Sequence, residues 1–555
     1  MLPCSLLLAL ACSPDDKLSE QTEETTSSIV EDSDTTSPPV TDSEAPDSGD
    51  DTGTSGSETG GDDTGGGDTS DDTEAPELCP ESASLAIASV AVTGTPSALA
   101  RHLEVSLSED AALGVACTRD DHPDELLYWE SESADEHDLD LFGLAPSSDY
   151  RCQIAPLCPT MSGPPEEVTF QTEPPPSGLP GVTITQHPTL TSSGAPMVVM
   201  NAAPCDGGGA HYLVMYDLNG EVRWFHRLSG TFSTDVVVQY LGDGVVVWGG
   251  GFTPNGAPRT IDLFGAEIDR AAWPGSSNVT FNHEARMLED GRLLGFDYNT
   301  NTDGDRSWQG YQIFVTEPGT NKLDWTWSSQ VGVDAELFPP GSEEIYDIYH
   351  GNWADILTRK DGTERAYVSM CYLSWIVAID VDSSELLWRF GLNGDFALVN
   401  ADGSPAADED WPDCQHGIEV DDDTLLVYDN GRQRGASRVS TYTLDEAAMT
   451  ATRTWSWTEE GWVNPWLGDA DFLPDDRVFL TQANPTCFEG LEDIGNHLTE
   501  VDMATGEVVW RATIDDPDYL TYRSERADTC DVMPHVQWCS DVRERWEAAA
   551  GLFSL

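Results

Sequence analysis

YLVMYDLNGEVRWFH (residues 212–226) decides the reading of this chain: a strand, a tight turn at Asn219-Gly220, and a second strand carrying Trp224 near its end. The same hairpin returns as IFVTEPGTNKLDWTW (313–327), WIVAIDVDSSELLWRFG (375–391), STYTLDEAAMTATRTWSW (440–457) and LTEVDMATGEVVWRA (498–512). A second half-unit, a turn followed by a hydrophobic strand, alternates with it: YLGDGVVVWGG (240–250), MLEDGRLLGFD (287–297), VDDDTLLVYDN (420–430) and FLPDDRVFLTQ (472–482). RTIDLFGAEIDRAAW (259–273) supplies the hairpin half of the second unit. Two hairpins per unit, at a period of roughly 45–80 residues, make the four-stranded blade of a β-propeller. The spacing predicts an all-β fold with six blades over residues 182–530, in which APMVVMNAA (195–203) closes the ring by joining the last blade. The tryptophans, placed at the end of the third strand, are expected to pack between blades and to carry no chemistry.

Outward from the repeat, residues 79–175 read as a small β domain of seven short alternating segments, from SLAIASVAVTG to EEVTFQTEP, whose spacing predicts a β-sandwich. The Pro-rich EPPPSGLPG (173–181) is a stiff exit towards the repeats, so the domain reads as a spacer. Residues 13–78 contain one lysine, Lys17, no arginine, and mostly Asp, Glu, Ser, Thr and Gly, which predicts an extended, disordered acidic stalk. MLPCSLLLALAC (1–12) is an apolar run ending in small residues before Cys12, without the usual basic start. It resembles a bacterial lipoprotein signal, which implies lipidation at Cys12 and an exported protein at the outer membrane, in the periplasm or at the cell surface. The C-terminal segment, 531–555, contains one amphipathic helical stretch, DVRERWEAAAGLF (541–553).

The formal net charge is -74, with 100 acidic against 26 basic residues. Nucleic acid and anionic lipid surfaces demand basic patches, so both are excluded as partners. No run after the leader approaches the ~20 apolar residues of a spanning helix. Apart from Cys4 and Cys12 there are ten cysteines, an even number that predicts disulfides in an exported chain. Four precede residue 175 and six follow it, so each half can pair internally, with the connectivity open. No phosphate-binding loop, dinucleotide-binding glycine pattern or Gly-x-Ser-x-Gly elbow is present.

Three of the 11 histidines recur at one register: FNHEARMLEDGRLLGFDYN (His283), IYHGNWADILTRKDGTERAYV (His350) and CQHGIEVDDDTLLVYDNG (His416). Equivalent positions of a ring of blades point at one axis, so these imidazoles are expected to share a central pocket. Gly468 holds the matching position in the next unit and is expected to leave space there.

The patterns NHEARMLEDGRLL, YHGNWAD, QHGIEVDDDTLLVYDNGRQRGASRVSTYTLD and YLTYRSER resemble the bacterial arylsulfate sulfotransferase family over residues 182–526. LFGLAPSSDYRCQIAPL (141–157), with Tyr150 as a corner tyrosine, resembles a fibronectin type III domain. The first resemblance implies a six-bladed propeller that moves a sulfuryl group from an aryl sulfate to a phenol without a nucleotide sulfate donor. It implies His416 as the nucleophile, sulfated on nitrogen in a ping-pong cycle. It implies His350 and Asn352 at the sulfuryl oxygens, and His283 in proton transfer to the departing phenolate. Arg438 and Arg523 are its candidate substrate-binding cations. The family's arginine after the His-x-Asn blade is replaced here: YVSMCYLSWIVAID puts Met370 or Cys371 in its place. Arg432, Arg434, Arg523 and Arg526 are the candidates to substitute from a loop. Cys371 and Cys414 are expected near the channel mouth, joined as a disulfide between adjacent blades or present as functional thiols.

Two other functions fit the residues. Three converging histidines, with Cys371 or Cys414 nearby, suit Zn or Cu. A stalked propeller also suits a non-catalytic binding module on the cell surface. The acidic stretches DDD (421–423) and DEDWPD (408–413) offer Ca only weakly, since neither follows a calcium-loop pattern.

Overall fold

Six sheets, each built on four antiparallel strands and four of them carrying a fifth, form the repeat region, in a computed structural model that describes residues 85–158, 164–205, 209–229, 235–251, 256–271, 281–303, 306–320, 322–329, 346–347, 349–483, 487 and 496–555. The leader, Cys12 and the acidic stalk lie outside the described residues. No helix among the described residues is long and apolar enough to cross a membrane.

Blades 2 to 6 each run from an innermost to an outermost strand in sequence order, beginning at Val236–Gly242, Phe281–Met287, Gly351–Thr358, Ile418–Asp421 and Asp469–Leu473. Blade 1 is assembled from both ends of the repeat. Its innermost strand is Ser524–Ala527, paired antiparallel with Met197–Pro204, and Tyr212–Asp217 and Val222–Arg227 complete it. This corrects the expected closure. Met197–Pro204 does not join the last blade; Val182–Gln186 does, as a fifth, outer strand against Val508–Ile514. Burial gives the reason. Every residue of Met197–Pro204 is buried, as an interior strand requires, whereas Val182–Gln186 alternates and is half exposed, as an edge tolerates.

The ring is held by apolar clusters between successive blades. Alternate residues of Tyr212–Asp217 face opposite neighbours: Leu213 and Met215 pack with Val236, Val246 and Ile261 of blade 2, while Tyr212, Val214 and Tyr216 pack with Phe479, Leu498 and Trp510 of blade 6. Equivalent clusters join blades 2 to 3, 3 to 4, 4 to 5 and 5 to 6. The tryptophans lie on the fourth strand rather than the third, and each reaches across an interface. Trp224 Nε1 donates to Leu263 O (2.8 Å), Trp325 to Val381 O (3.0 Å), Trp388 to Glu446 Oε1 (3.1 Å), Trp455 to Met503 O (2.9 Å) and Trp510 to Leu218 O (2.9 Å). Every acceptor sits at the outer hairpin of the next blade, so one residue type supplies apolar area and one directed bond.

Ahead of the propeller, five strands form one continuous sheet rather than seven short ones. The expected segments fuse in pairs into Arg101–Arg119 and His122–Leu141, with register shifts between Ser106 and Leu113 that bend the pairing. The Tyr150 hydroxyl accepts a hydrogen bond from Ala145 N–H at 2.7 Å, and Cys117 is bonded to Cys152. This domain is docked rather than merely tethered. The fully buried Arg223 of blade 1 pairs with Glu125 at 2.7 Å and with Asp217 at 2.6 Å. The C-terminal helix, Ser540–Ala549, lies on the other side of the same sheet segment, with Trp546 and Phe553 edge-on to Tyr128.

Candidate active site

The three histidines occupy one level, where each innermost strand begins. His283 lies within Phe281–Met287, His350 just before Gly351–Thr358 and His416 just before Ile418–Asp421. Asp235, Gly468 and Tyr522 stand at the matching level of blades 2, 6 and 1. His283 and His350 have φ of 53° and 46°, a left-handed conformation that a histidine adopts only where its surroundings demand it. Local backbone cost is thus accepted to aim both rings at the axis.

The rings meet as expected. The His283 and His350 centroids are 5.1 Å apart and those of His350 and His416 6.4 Å, while Tyr522 lies 5.8 Å from His283 and 6.5 Å from His416. All three imidazoles are buried. Residues 283, 350 and 416, far apart in sequence, therefore meet in one buried cluster.

Hydrogen bonding orients each ring. Asn430 Nδ2 donates to Asn464 O and to Leu467 O, both at 2.8 Å, which fixes the amide and turns its Oδ1 to His416 Nδ1 at 2.8 Å. An amide oxygen only accepts, so Nδ1 carries the proton and Nε2 keeps a lone pair. Asp347 does the same for His350: Oδ2 lies 2.8 Å from Nδ1, and Oδ1 accepts from the His350 N–H at 2.9 Å. His283 Nδ1 is 3.2 Å from the Tyr522 hydroxyl and 3.5 Å from Asp235 Oδ2. Burial, reinforced by the neighbouring His350, outweighs the Asn430 bond and lowers the His416 pKa to about 3. Burial, with His350, His416 and Arg523 adding, holds His283 well below the ordinary imidazole range as well. Both are neutral at physiological pH.

The other expected residues divide. Asn352 is in the cluster, where its Nδ2 donates to Gln415 O at 2.9 Å and ties the His350 backbone to the His416 segment. Arg523 is adjacent but engaged: it pairs with Glu284 at 2.9 Å and donates to Asn352 O. Arg438 is placed elsewhere. Its guanidinium pairs with Asp429 at 2.7 Å and donates to the carbonyls of Asp410 and Trp411, so it braces blade 5 away from the imidazole cluster. Arg434 shares Asp429, and Arg526 pairs with Glu500. Of the two alternatives for Cys371 and Cys414 the structure has the disulfide, between blades 4 and 5, stapling the segments that carry His350 and His416. Gly468 leaves no vacancy. A Cβ there would come within 2.3 Å of the Tyr428 ring, so the absent side chain makes room for that tyrosine.

Asp347, Asn430, Asp235, Tyr522 and Tyr372 were not singled out by the sequence. Tyr372 stacks on His350, centroids 4.6 Å apart and planes 18° apart. Asn430 and Tyr522 sit inside the motifs DNG and YLTYRSER, so a signal existed, but nothing local shows which ring they serve.

Below the imidazoles, the innermost strands turn a row of acids into the channel. Glu525 accepts from Tyr240 N–H of blade 2 (2.7 Å), Glu284 from Ala354 N–H of blade 4 (3.2 Å) and Glu419 from Phe472 N–H of blade 6. Carboxylates of one blade thereby cap the free strand edge of the next, which otherwise would leave buried N–H groups unpaired. Burial raises Asp355 and Asp469 to about 6, Glu419 to about 7 and Glu525 to about 8.

Among the described residues, the metal-type grouping whose donor atoms all lie within 4.8 Å of one another is His102, Glu104 and Asp138 on the N-terminal sheet, not the three axial histidines. Each axial ring already commits Nδ1 to a protein partner.

The class is thus a six-bladed β-propeller with oriented imidazoles buried at the axis. The family description "Arylsulfotransferase (ASST)" matches residues 183–523, more than half of the sequence and nearly the whole propeller, and the chain belongs to that family. No curated protein matches the chain. Solved structures similar to it include the dihydro-heme d1 dehydrogenase NirN (11% identity, 62% of this chain and 80% of that one, TM-score 0.30). A nidogen/laminin complex (12%, 60% and 100%, TM-score 0.31) and a Synechocystis apocarotenoid oxygenase mutant (11%, 60% and 81%, TM-score 0.29) are others. Likenesses this distant carry nothing about function.

Proposed function

We propose that this protein transfers a sulfuryl group from an aryl sulfate to a phenol through a sulfohistidine at His416. The observation that carries the reading is the Asn430–His416 pair: a ring held neutral, with Nδ1–H pinned and the Nε2 lone pair free. In the first half-reaction, Nε2 attacks sulfur, an N–S bond forms, the S–O bond to the aryl group breaks, and phenolate leaves. The sulfated ring becomes cationic, and its Nδ1–H donates to Asn430 Oδ1. The leaving phenolate takes a proton from His350, whose Nδ1–H is anchored on Asp347. His283, held neutral by its burial, is a poor proton source and serves with Tyr522 as a donor surface. In the second half-reaction an acceptor phenol gives its proton back to His350, its oxygen attacks sulfur, and the N–S bond breaks. Asn352 keeps one amide N–H beyond its bond to Gln415 for a sulfuryl oxygen.

Mass spectrometry of protein quenched during turnover of 4-nitrophenyl sulfate tests this. Sulfate on His416 is expected, with release of nitrophenol stimulated by an added phenol and abolished in His416→Ala. Retained turnover in that variant, or sulfate on another residue, removes the proposal. Binding of aryl sulfates without any turnover favours the non-catalytic display module instead. Export and lipidation at Cys12 belong to the same proposal, supported by the leader sequence and by the four disulfides between described residues, which suit an oxidising compartment.

A further inference from the structure

Arg432 lies in the turn between Asn430 and the third strand of blade 5. Its guanidinium carbon is 3.7 Å from the ring centroid of Trp466 and 5.3 Å from that of Tyr372. Trp466 is buried, and Tyr372 stacks in turn on His350. A cation is therefore held flat on an aromatic shelf, one ring away from the imidazole cluster.

Its surroundings make this unusual. The chain carries 100 acidic and 26 basic residues, so most arginines have a carboxylate within reach. The neighbours follow that rule: Arg434 and Arg438 share Asp429, Arg453 pairs with Asp410, and Arg389 with Asp395. Arg432 makes no hydrogen bond or ion pair with any of the described residues; its contacts are the two aromatic rings. Stacking holds one face of the guanidinium and leaves its fork of N–H donors along the edge. An anion with a flat apolar body suits such a place. Its oxygens take the fork in bidentate fashion, and its ring lies against Tyr372 and Trp466.

We infer that Arg432 is the residue that captures the anionic end of an aromatic sulfate or sulfonate, on a shelf made by Trp466 and Tyr372 beside His350. The identity of the ester rests on the function proposed above; the anion-plus-aryl recognition does not. Arg432 takes the cationic task while Cys371, bonded to Cys414, holds the shelf in place. Free sulfate shares the charge but not the ring, so it binds more weakly.

The test uses the full chain and non-transferable probes. Calorimetric titration with 4-nitrobenzenesulfonate, with inorganic sulfate and with neutral phenol is compared in wild type, Arg432→Gln and Arg432→Lys. We expect the sulfonate to bind wild type more tightly than sulfate does. Arg432→Gln should weaken sulfonate by roughly 10-fold or more while phenol is unchanged, and Arg432→Lys should restore part of the loss. A merely structural role for Arg432 would lower sulfonate and phenol together and would overturn the inference. So would a wild type that does not bind the sulfonate, or an Arg432→Gln variant that binds it undiminished. With aryl sulfate as substrate, Arg432→Gln should raise KM more than it lowers kcat. If wild type turns over no aryl sulfate yet binds sulfonate through Arg432, the transfer reaction fails and this inference stands.

Discussion

Asn430 does for His416 what no charged residue would do as well. A carboxylate in its place would also accept from Nδ1–H, but would add a buried charge beside a ring that is to receive an anionic sulfuryl group. Asn430→Ala removes the pin and strands the carbonyls of Asn464 and Leu467. We expect kcat to fall by about 10–100-fold, the usual effect of losing a partner that orients a ligand ring, with KM little changed, measured by initial rates on an aryl sulfate. An equal loss through KM alone would contradict this role. The low His416 pKa carries a second expectation. Depression to about 3 means the nucleophile stays unprotonated as pH falls through the ordinary imidazole range. Single-turnover sulfation should therefore show no acid limb centred near ~6.5, and such a limb would remove the burial argument. The histidines themselves were legible in the sequence because one register in three repeats is a pattern. Asp347, Asn430 and Tyr522 were not, because each is recognised only by the ring it touches, and Tyr522 touches His283 from 239 positions away. Arg438 shows the converse: it sits in a motif, yet its partners are Asp429 and backbone carbonyls.

At the scale of strands and hairpins, the tryptophan pins make the clearest expectation. Trp510→Phe keeps most of the apolar contact with blade 1 and loses the bond to Leu218 O. It should cost about 1 kcal/mol in chemical denaturation, whereas Trp510→Ala should cost about 3–5 kcal/mol. A Phe variant as damaging as the Ala variant would mean that the directed bond, not the apolar packing, governs the interface. The hairpins were readable because turn residues and alternating apolar runs are local. Closure of the ring was not, since Met197–Pro204 pairs with Ser524–Ala527 over more than 300 residues. Its clue was the uninterrupted burial-type composition MVVM, which marks an interior strand, against the alternating VTITQ of the strand that lies outside. The N-terminal segments were misjudged as seven because bulges let one long strand look like two.

Across the whole molecule, acids dominate inside as well as out. Glu419 and Glu525 keep protons to about pH 7 and 8, well above the ordinary glutamate value near ~4.3, so the folded state binds protons that the unfolded chain releases. Stability from these groups is lost as pH rises through those values. The buried His283, His416 and His535 act oppositely, and stability from them is lost as pH falls below the ordinary imidazole value. Above that value the acids, and His102 with its pKa raised by the bond to Asp140, lose protons that the folded state favours, so the Tm should drop between about pH 6.5 and 8, and Glu525→Gln should flatten the drop, read by calorimetry. A Tm that climbs over this interval would show that the channel acids are not protonated. The ring closure has one more consequence, for the protein's birth. The strand that completes blade 1, and the Tyr522 and Arg523 that finish the cluster, leave the ribosome after every other strand of the propeller. Five blades must wait, open at one side, until that strand has emerged, so a nascent chain or one cut before Tyr522 carries all three axial imidazoles and still has no closed site.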